Sequence, residues 1–546
     1  MMMEQPLLLL IAVVFLLVIL FVGYAAKRFV RSTDDFYRGG RQVPWWVAGI
    51  SIYMGSFSAL AFVAFASIAF SEGLIGFLLG FGFVLAYVLA GLFFAHRWHR
   101  AGVTTPVEYL ERRFGPESRR AIALISVLFE ILTSGLRLYA FAILLHSIVG
   151  FPIVATIVVF GIAMALAAWS GGLWAVVLGD AVQFVILLAG LVPLFVMSIV
   201  RMGGWEEFLL LLSADLFSVR GEHDWGWLLS WLAVQAVAGN FGFAAIQRFS
   251  SVRTEADARK AAFLAAGLLV PLPFLAMVPA LICFHLFPGI DPQEAFGVIV
   301  REALPIGLIG LMVGAIVAAT VSELESSFNI SSGILTSDVY KRFLRPVAGG
   351  QELLWVGRAA TLGVAAAAIA MGATLALLEL KVFDAYEALV SHIFVTLYIP
   401  FLAGILVPRM SELGFATVVG AGLALSGVLW ISGWTPGDVR PAILGVGLVG
   451  VILVSVAMPA RGAAKARIAA FFERLSSPHP AAPSEAKPDL TSTRLIAVTI
   501  LALGVVAAFL PFVSGSAGAG QIVEAGVAAA LVALGAILLA ASSRRA

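Results

Sequence analysis

Charged residues are scarce in this 546-residue chain, where Asp, Glu, Lys and Arg together make up only 12% of the sequence. Hydrophobic residues make up 61%, and the mean hydropathy is +1.03. A soluble domain of this composition would expose more apolar surface than water tolerates, so lipid must surround most of the chain. The net charge of +2 gives no signal for nucleic-acid binding.

Cysteine is almost absent as well, since Cys283 is the only one and lies in an apolar run. This excludes a disulfide framework and a thiolate metal cluster. The sequence shows no grouping of nucleophile, base and oxyanion donors and no metal-ligand spacing. It therefore predicts neither an enzyme nor a bound cofactor, and nothing in it points to an obligate protein partner.

Long apolar segments fill the chain instead, and each is long enough to cross a bilayer as a helix. Fifteen are predicted, near residues 5–27, 44–71, 73–96, 119–149, 152–169, 173–200, 226–247, 261–287, 298–336, 353–380, 385–408, 412–432, 440–459, 493–513 and 521–542. The predicted fold class is therefore an all-α polytopic membrane protein.

Clusters of Lys and Arg follow the odd-numbered segments one, three, seven, nine and thirteen, and Arg544 and Arg545 follow the fifteenth. If fifteen helices alternate, all these clusters lie on one side, and the positive-inside rule makes that side cytoplasmic. We therefore expect a protein of the cell inner (plasma) membrane, with its N-terminus outside and its C-terminus in the cytoplasm. Residues 460–491, which are basic and then rich in Pro and Ser, read as a flexible cytoplasmic linker.

Two segments carry glycine and small polar residues at mid-depth, where backbone groups can leave helical hydrogen bonding. One contains Gly55, Ser56 and Ser58; the other contains Gly239 and Asn240. They lie five helices apart, as expected for an inverted repeat in which the first helix of each half is broken. The alternative is that these residues merely allow close helix packing.

Carboxylates interrupt two other segments. Asp180 lies about seven residues into the sixth, where an unpaired Asp costs about 2.5–3.5 kcal/mol on insertion scales. In the ninth, Ser322, Glu323, Glu325 and Ser326 fall on or beside one helical stripe. Oxygen ligands of this kind suit a hard cation or a titrating proton. The alternatives are a carboxylate near the interface for Asp180 and pairing of the glutamates with a buried arginine such as Arg137.

Arg137 lies in the fourth segment, on the same helical face as Glu130. Its guanidinium could hold the carboxylate of a substrate or could instead satisfy Glu130. The residues alone leave both roles open.

Several motifs in order resemble those of the sodium/solute symporter family. They are Gly40-Arg41 with Pro44-Trp45-Trp46, Thr105-Pro106-Val107-Glu108-Tyr109, Gly171-Gly172-Leu173 through Asp180 and Gln183, Gln247-Arg248-Phe249, and Asn329 with Thr336-Ser337-Asp338. The resemblance covers about residues 5–460 and implies a LeuT-like core of two inverted five-helix repeats. With the flanking segments, it predicts these divisions: 1–43, an extra helix and loop; 44–200 and 201–410, the two repeats; 411–460, two helices; 461–492, the linker; 493–546, a terminal helix pair.

The resemblance also implies a sodium site. Backbone carbonyls of Met54, Phe57 and Ala319 would join the side chain of Ser322 and that of the next residue. That next residue is Glu323, where family members usually carry Ser or Thr. The coupling ion is thus expected to be Na⁺, or H⁺ because of Glu323. In the family, Asp180 lies near a second cation site, where Glu325 would be its neighbour.

The solute pocket implied by the resemblance lies between the two broken helices. Its expected lining is Ser56, Ser58, Ala59, Gln235, Gly239 and Phe241, with Asn240 and Arg137 nearby. This lining favours a small carboxylate or amino-acid-like solute, with a sugar or polyol as the rival. The expected function is cation-coupled uptake of a small organic solute by alternating access. A membrane sensor that uses the same scaffold without transporting is the alternative.

Overall fold

The computed structural model describes residues 39–543, except 57, 104–105, 169–172, 215–217, 241, 478–490 and 515–517, and before residue 39 only six scattered positions. The first predicted segment, residues 5–27, therefore lies almost entirely outside the described residues. Eleven described helices are long and apolar enough to cross a membrane. Shorter apolar helices supply three further crossings, two of them broken in the middle. Fourteen crossings are thus described, and the predicted fifteenth stays a prediction.

The first half of the core contains one broken helix and four continuous ones. The broken helix consists of α1 and α2, which are Trp45–Met54 and Ala61–Glu72. The others are α3, Leu74–Ala101; α5, Pro116–Val149; α6, Ile153–Ala168; and α7, Leu173–Met202. A short amphipathic helix, α4, Pro106–Arg113, lies between α3 and α5.

The second half repeats this pattern after a short helix, α8, Trp205–Ala214. The broken helix consists of α9 and α10, which are Trp225–Ala238 and Phe243–Ser251. The first continuous helix is α11, Glu255–Leu286, and a short helix, α12, Ala295–Ala303, follows it. The other three continuous helices are α13, Ile306–Leu344; α14, Gly350–Leu377; and α15, Val382–Leu406.

The remaining helices lie outside the ten-crossing core. They are α16, Glu412–Ile431; α17, Pro436–Ala457; α18, Gly462–Ser476; α19, Thr491–Ala507; α20, Leu510–Ser514; and α21, Ala519–Ser543.

The two predicted breaks end their helices in the same way. The amide of Gly55 donates to the carbonyl of Ser51, and the next amide, of Ser56, donates to Tyr53. In the second half Gly239 donates to Gln235 and the next amide, of Asn240, donates to Val237. Each helix thus tightens for one turn and then stops, which leaves backbone groups near mid-membrane free for other partners.

Packing between the halves follows the pseudo-symmetry of an inverted repeat. The first helix of each half packs against the second helix of the other, α1 on α11 and α9 on α3. The third helix of each half packs against the fourth of the other, α5 on α14 and α13 on α6. This reciprocity confirms the predicted 5+5 inverted-repeat core and places both breaks at its centre.

The predicted continuous helix 298–336 is wrong at its start. The structure has a separate helix α12 that ends at Ala303, and α13 then begins after Pro305. Leu304 is extended, with φ −89° and ψ 145°, because the ring of a following proline disfavours helical backbone. The predicted cation-site residues of this segment therefore belong to a long helix whose first turn is set by Pro305.

The predicted flexible linker is also wrong over its first half. Helix α18 buries Ile468, Phe471 and Leu475 and packs on α3 and α4. Arg100 Nη1 donates to the carbonyl of Leu475 at 2.9 Å. The basic amphipathic pattern therefore describes a docked helix, while residues 478–490 lie outside the described residues.

The terminal helix pair is docked on the core. Helices α19 and α21 pack on each other and on α7, and α20 contacts α13. Glu524 of α21 is fully buried, accepts a hydrogen bond from Ser514 Oγ at 2.9 Å, and lies against Gly307 at the start of α13. A Cβ added to Gly307 would lie 2.5 Å from Glu524 Oε1, so glycine is required for this close approach.

Candidate functional site

A cavity of about 210 Å³ lies between the two helix breaks. Its wall combines residues beside both breaks with residues of α3, α5, α7, α13 and α15. The predicted site residues that line it are Met54, Ser56, Ser58, Arg137, Asp180, Gln235, Gly239, Ala319, Ser322, Glu323 and Ser326. The fold thus brings together residues that are up to 272 positions apart in the chain.

Three predicted site residues do not line this cavity. Ala59 is buried, and Glu325 of α13 is half-buried outside the cavity lining. Asn240 is fully buried, and its Nδ2 donates to the carbonyls of Ala86 and Ala236, both at 2.9 Å. Asn240 therefore ties the second break to α3 rather than contacting a solute. Phe57 and Phe241 lie outside the described residues.

Asp180 is not the unpaired carboxylate that the sequence indicates. It accepts hydrogen bonds from Ser51 Oγ of α1 and from Ser322 Oγ of α13, the latter at 2.9 Å. Its Oδ2 lies 3.6 Å from Arg248 Nη2 of α10, and Arg248 Nε donates to Ser51 Oγ at 3.0 Å. One buried network thus joins α7 to both broken helices and to the predicted cation helix.

Arg137 is already paired within the protein. Its Nε lies 2.9 Å from Glu323 Oε1, and its Nη1 lies 3.8 Å from Glu130 Oε2. The same Nη1 donates to Ser327 Oγ at 3.1 Å. The alternative in which the glutamate pairs with Arg137 is therefore what the structure contains, and this guanidinium is not open to a solute carboxylate without rearrangement.

Hydroxyl and amide groups also line the cavity. Ser56 Oγ and Tyr87 OH lie 2.8 Å apart, and Gln235 Nε2 donates to Tyr386 OH at 3.3 Å. Aromatic rings complete the wall, from Phe65, Phe83, Phe129, Phe394 and Tyr398. Such a lining can hydrogen-bond a hydroxylated solute while packing against its apolar faces.

The sequence reasoning missed several residues of this site. Ser51, Arg248, Tyr87 and Tyr386 were not among the predicted site residues, although Arg248 stood in one of the family motifs. For Arg248 a signal existed, because an arginine near the end of a membrane helix needs a buried partner and Asp180 needed one too. Nothing in the spacing of the tyrosines distinguishes them from packing residues.

An ion network ties together one end of the core. Arg119 at the start of α5 pairs with Asp338 near the end of α13 and with Glu111 of α4, and Arg342 Nη2 donates to Glu111 Oε1 at 2.6 Å. Burial alone would raise the pKa of Glu111, but the hydrogen bonds from Arg342 and Arg119 lower it. This network holds the end of α13 against α4 and α5.

At the opposite end of the core, a histidine–carboxylate contact joins α2 to the residues before α9. His223, which precedes α9, pairs through Nδ1 with Glu72 at the end of α2 and stacks on Trp227, with ring centroids 3.9 Å apart. Burial alone would lower the pKa of His223, but the hydrogen bond and charge of Glu72, helped by Glu387 and opposed by Arg440, raise it. The contact is therefore fully formed below the ordinary histidine pKa and is lost as pH rises through the raised value.

We expect a pH-dependent stability difference between the wild type and a His223→Gln variant. The variant should be less stable by on the order of 1 kcal/mol at acidic pH, and this deficit should vanish at alkaline pH where His223 is neutral. Thermal unfolding in detergent across this pH range measures it. If the stability deficit were equal at acidic and alkaline pH, packing of His223 on Trp227, rather than its charge, would hold the residues before α9 in place.

The candidate cation wall is built from oxygens. It contains Asp180, Ser322, Ser326 and Glu323 with the backbone at Met54 and Ala319. The described residues contain no group of three or more His, Cys, Asp or Glu side chains able to hold a metal ion. A cation at this wall would therefore depend on hydroxyl and carbonyl oxygens as well as carboxylates, as hard monovalent ions accept.

Comparison with known proteins matches this architecture to transporters. The sodium/sialic acid symporter SiaT of Proteus mirabilis is 27% identical over 438 residues, covering 76% of this chain and 87% of that protein. The sodium/glucose cotransporter 4 of Danio rerio is 28% identical over 490 residues, covering 80% and 74%. A solved structure of a Na⁺-coupled sialic acid symporter in a substrate-bound outward-open state superimposes with a TM-score of 0.71 and 22% identity, covering 84% and 98%.

The family assignment rests on a match to a family model. Residues 36–420, well over half of the chain, match the model of the sodium:solute symporter family, whose members are symporters rather than enzymes. This confirms the predicted class, a multi-pass membrane symporter of small solutes with a LeuT-like core. The chain therefore belongs to the sodium:solute symporter family.

Proposed function

We propose that this chain imports a small, neutral, hydroxylated solute such as a sugar or polyol, coupled to Na⁺ entry by alternating access. The observation that carries the proposal is the cavity between the two helix breaks, which is lined by hydroxyl, amide and aromatic groups together with oxygen-bearing residues of α13 and α7. The cavity volume of about 210 Å³ is below the roughly 300–1,000 Å³ of drug-sized ligand pockets, which favours a small solute.

The pairing of Arg137 favours a neutral solute over the carboxylate that the sequence lining suggested. A solute carboxylate would have to displace Glu323, whose Oε1 lies 2.9 Å from Arg137 Nε. The pairs Ser56–Tyr87 and Gln235–Tyr386 line the cavity and offer donors and acceptors to hydroxyl groups without breaking an ion pair. Of the two relatives above, the sodium/glucose cotransporter 4 is named for a neutral hydroxylated solute, whereas SiaT is named for an acid, so the carboxylate stays the rival.

Sodium is the proposed coupling ion because oxygen ligands from three elements meet at one wall. Ser322 and Ala319 of α13 line the cavity together with Met54 beside the first break, and Ser322 Oγ donates to Asp180 of α7. Binding there would hold α1 against α13, and alternating access would move the two broken helices relative to α13. The ion network at Glu111 would keep the entrance at its end of the core closed in one state of the transport cycle. In the other state the network would separate and that entrance would open.

We place the protein in the cell inner (plasma) membrane, with its N-terminus outside and its C-terminus in the cytoplasm. The basic clusters that support this orientation include Arg119 and Arg342, which lie at the same end of the core as α18. The positive-inside rule assigns that end to the cytoplasm.

Uptake into proteoliposomes tests the proposal. Labelled sugars, polyols, sugar acids and amino acids are offered under an imposed Na⁺ gradient or an imposed H⁺ gradient, with wild type, Glu323→Gln and Glu323→Ser. We expect accumulation of a neutral hydroxylated solute under the Na⁺ gradient only. Both variants should still respond to Na⁺, with the Na⁺ requirement raised by about tenfold where the carboxylate ligand is lost, equivalent to about 1.4 kcal/mol.

Other outcomes identify the rivals. Accumulation under the H⁺ gradient alone, abolished by Glu323→Gln, would make H⁺ the coupling ion. Accumulation of a carboxylate but of no neutral solute would restore a substrate-binding role for Arg137. Solute binding without any response to either gradient would support the non-transporting sensor.

A further inference from the structure

An open groove of about 980 Å³ shares no lining residue with the solute cavity. The starts of α5, α16 and α18 and the end of α17 form its walls, within residues 117–125, 411–420, 461–464 and 457–460. These helix ends lie at the end of the core that carries the Glu111 network, because Arg119 of that network is at the start of α5. The groove therefore lies where α5, α16 and α17 meet the boundary of the bilayer, and the transport cycle proposed above does not use it.

The groove extends along α16 towards the apolar interior of the bilayer. Its apolar lining includes Ile122, Phe415 and Val419, which are buried. Leu413, in the first turn of α16, is 66% exposed, and Gly420 lies seven residues further, about 10 Å at 1.5 Å per residue. A Cβ added to Gly420 would meet open space. The groove therefore has room for a hydrocarbon chain that runs beside a membrane-crossing helix.

Positive charge is in excess where the groove reaches the start of α18. Glu117 and Glu412, the two acidic residues of the lining, each pair with an arginine, at 2.7 Å and 3.2 Å. Arg461 lines the groove as well, and Lys465 follows it by four residues, about one helical turn. Both side chains are exposed, and neither pairs with a carboxylate of the described residues. Two positive charges are therefore available to an anion here.

We propose that this groove binds an anionic phospholipid of the adjacent leaflet, with its phosphate at Arg461 and Lys465 and an acyl chain along α16 as far as Gly420. A phospholipid carries both chemistries that the groove offers, an anion at the bilayer boundary and a hydrocarbon chain that points inwards. A small soluble anion would meet the cations but leave the apolar length of the groove empty. The inference depends neither on the solute nor on the coupling ion.

The two parts of the site give different signatures. The double variant Arg461→Gln, Lys465→Gln should weaken binding of phosphatidylglycerol by about 25-fold, about fivefold for each positive charge removed. It should also remove the preference for phosphatidylglycerol over phosphatidylcholine, which carries no net charge. Gly420→Leu should weaken the binding of both lipids, because the new side chain occupies the open space along α16 and changes no charge.

The experiment measures lipid binding to the delipidated full-length chain in detergent by native mass spectrometry. Dioleoyl phosphatidylglycerol and dioleoyl phosphatidylcholine are titrated separately, and the apparent Kd of the first bound lipid is compared. Gly427→Leu is the matched control for Gly420→Leu, because Gly427 is also an exposed glycine of α16 with open space at its Cβ but does not line the groove. Lys260→Gln with Lys341→Gln is the charge control, since both lysines are exposed and lie outside the groove.

Tighter binding of phosphatidylglycerol than of phosphatidylcholine by the wild type and both controls, with the expected losses in the two groove variants, supports the inference. Equal binding of the two lipids by the wild type overturns it. So does an unchanged Kd for phosphatidylglycerol in the double variant, or an unchanged Kd for both lipids in Gly420→Leu. Each of these results leaves the proposed function untouched, because solute uptake is measured separately.

Discussion

An Asp180→Asn variant is expected to lose Na⁺-driven uptake and to be less stable than the wild type by about 3–5 kcal/mol. Asp180 accepts from Ser51 and Ser322 and pairs with Arg248, so its carboxylate connects α1, α10 and α13 through α7. Asparagine keeps the size but leaves Arg248, which is 2% exposed, without its counter-charge. The loss therefore affects both the cation wall and the packing at the centre of the core.

Two comparisons separate these effects. Asp384→Asn, at an exposed position on α15, should retain uptake and stability within about 0.5 kcal/mol. Adding Arg248→Met to Asp180→Asn should restore much of the stability because no buried charge is then unpaired, while uptake stays absent. Thermal unfolding in detergent and uptake into proteoliposomes measure the two quantities. Near-normal uptake by Asp180→Asn would remove this carboxylate from the transport mechanism.

An Arg137→Met variant is expected to reduce uptake by at least about a hundredfold and to become less stable as pH rises. Methionine removes the guanidinium that approaches both Glu130 and Glu323, and two largely buried carboxylates must then take up protons to remain in the membrane. Each rise in pH makes that protonation more costly, so the stability deficit should grow with pH. Unfolding at several pH values and uptake at one pH measure the two effects.

A charge-neutral combination provides the control for this prediction. The triple variant Arg137→Met, Glu130→Gln, Glu323→Gln has no charge left in this cluster and should regain stability that is independent of pH. Arg201→Met, at an exposed position on α7, should behave as wild type in both measurements. A stability deficit of Arg137→Met that does not change with pH would mean that lost packing, not unpaired charge, causes it.

The sequence could indicate the positions of the breaks, because the signal is local. Gly55 with Ser56 and Gly239 with Asn240 weaken helical hydrogen bonding within their own segments, and each helix ends at these residues. The positions of Ser322 and Glu323 on a stripe of α13 follow likewise from helical periodicity. Pro305 also gave a local signal, but the apolar composition on both sides of it masked the interruption between α12 and α13.

The partners of the charged groups could not be derived in this way. Arg137 had two equally good roles from sequence, and only the approach of α13 to α5 brings Glu323 to 2.9 Å. Asp180 seemed unpaired because its partner, Arg248, lies 68 positions away on the far side of the second break. Asn240 seemed to face the solute, whereas the packing of α9 on α3 places its amide against the Ala86 carbonyl.

The sequence by itself determined that this chain is a membrane protein, and it indicated where two helices break and that Ser322 and Glu323 share a stripe of one helix. These properties depend on composition, periodicity and local backbone propensity, which each segment carries alone. The tertiary structure decided which charges meet: Arg137 with Glu130 and Glu323, and Asp180 with Arg248. That pairing depends on which helix faces pack together across the two halves, and the free energy of a buried charge depends on its partner more than on its own identity.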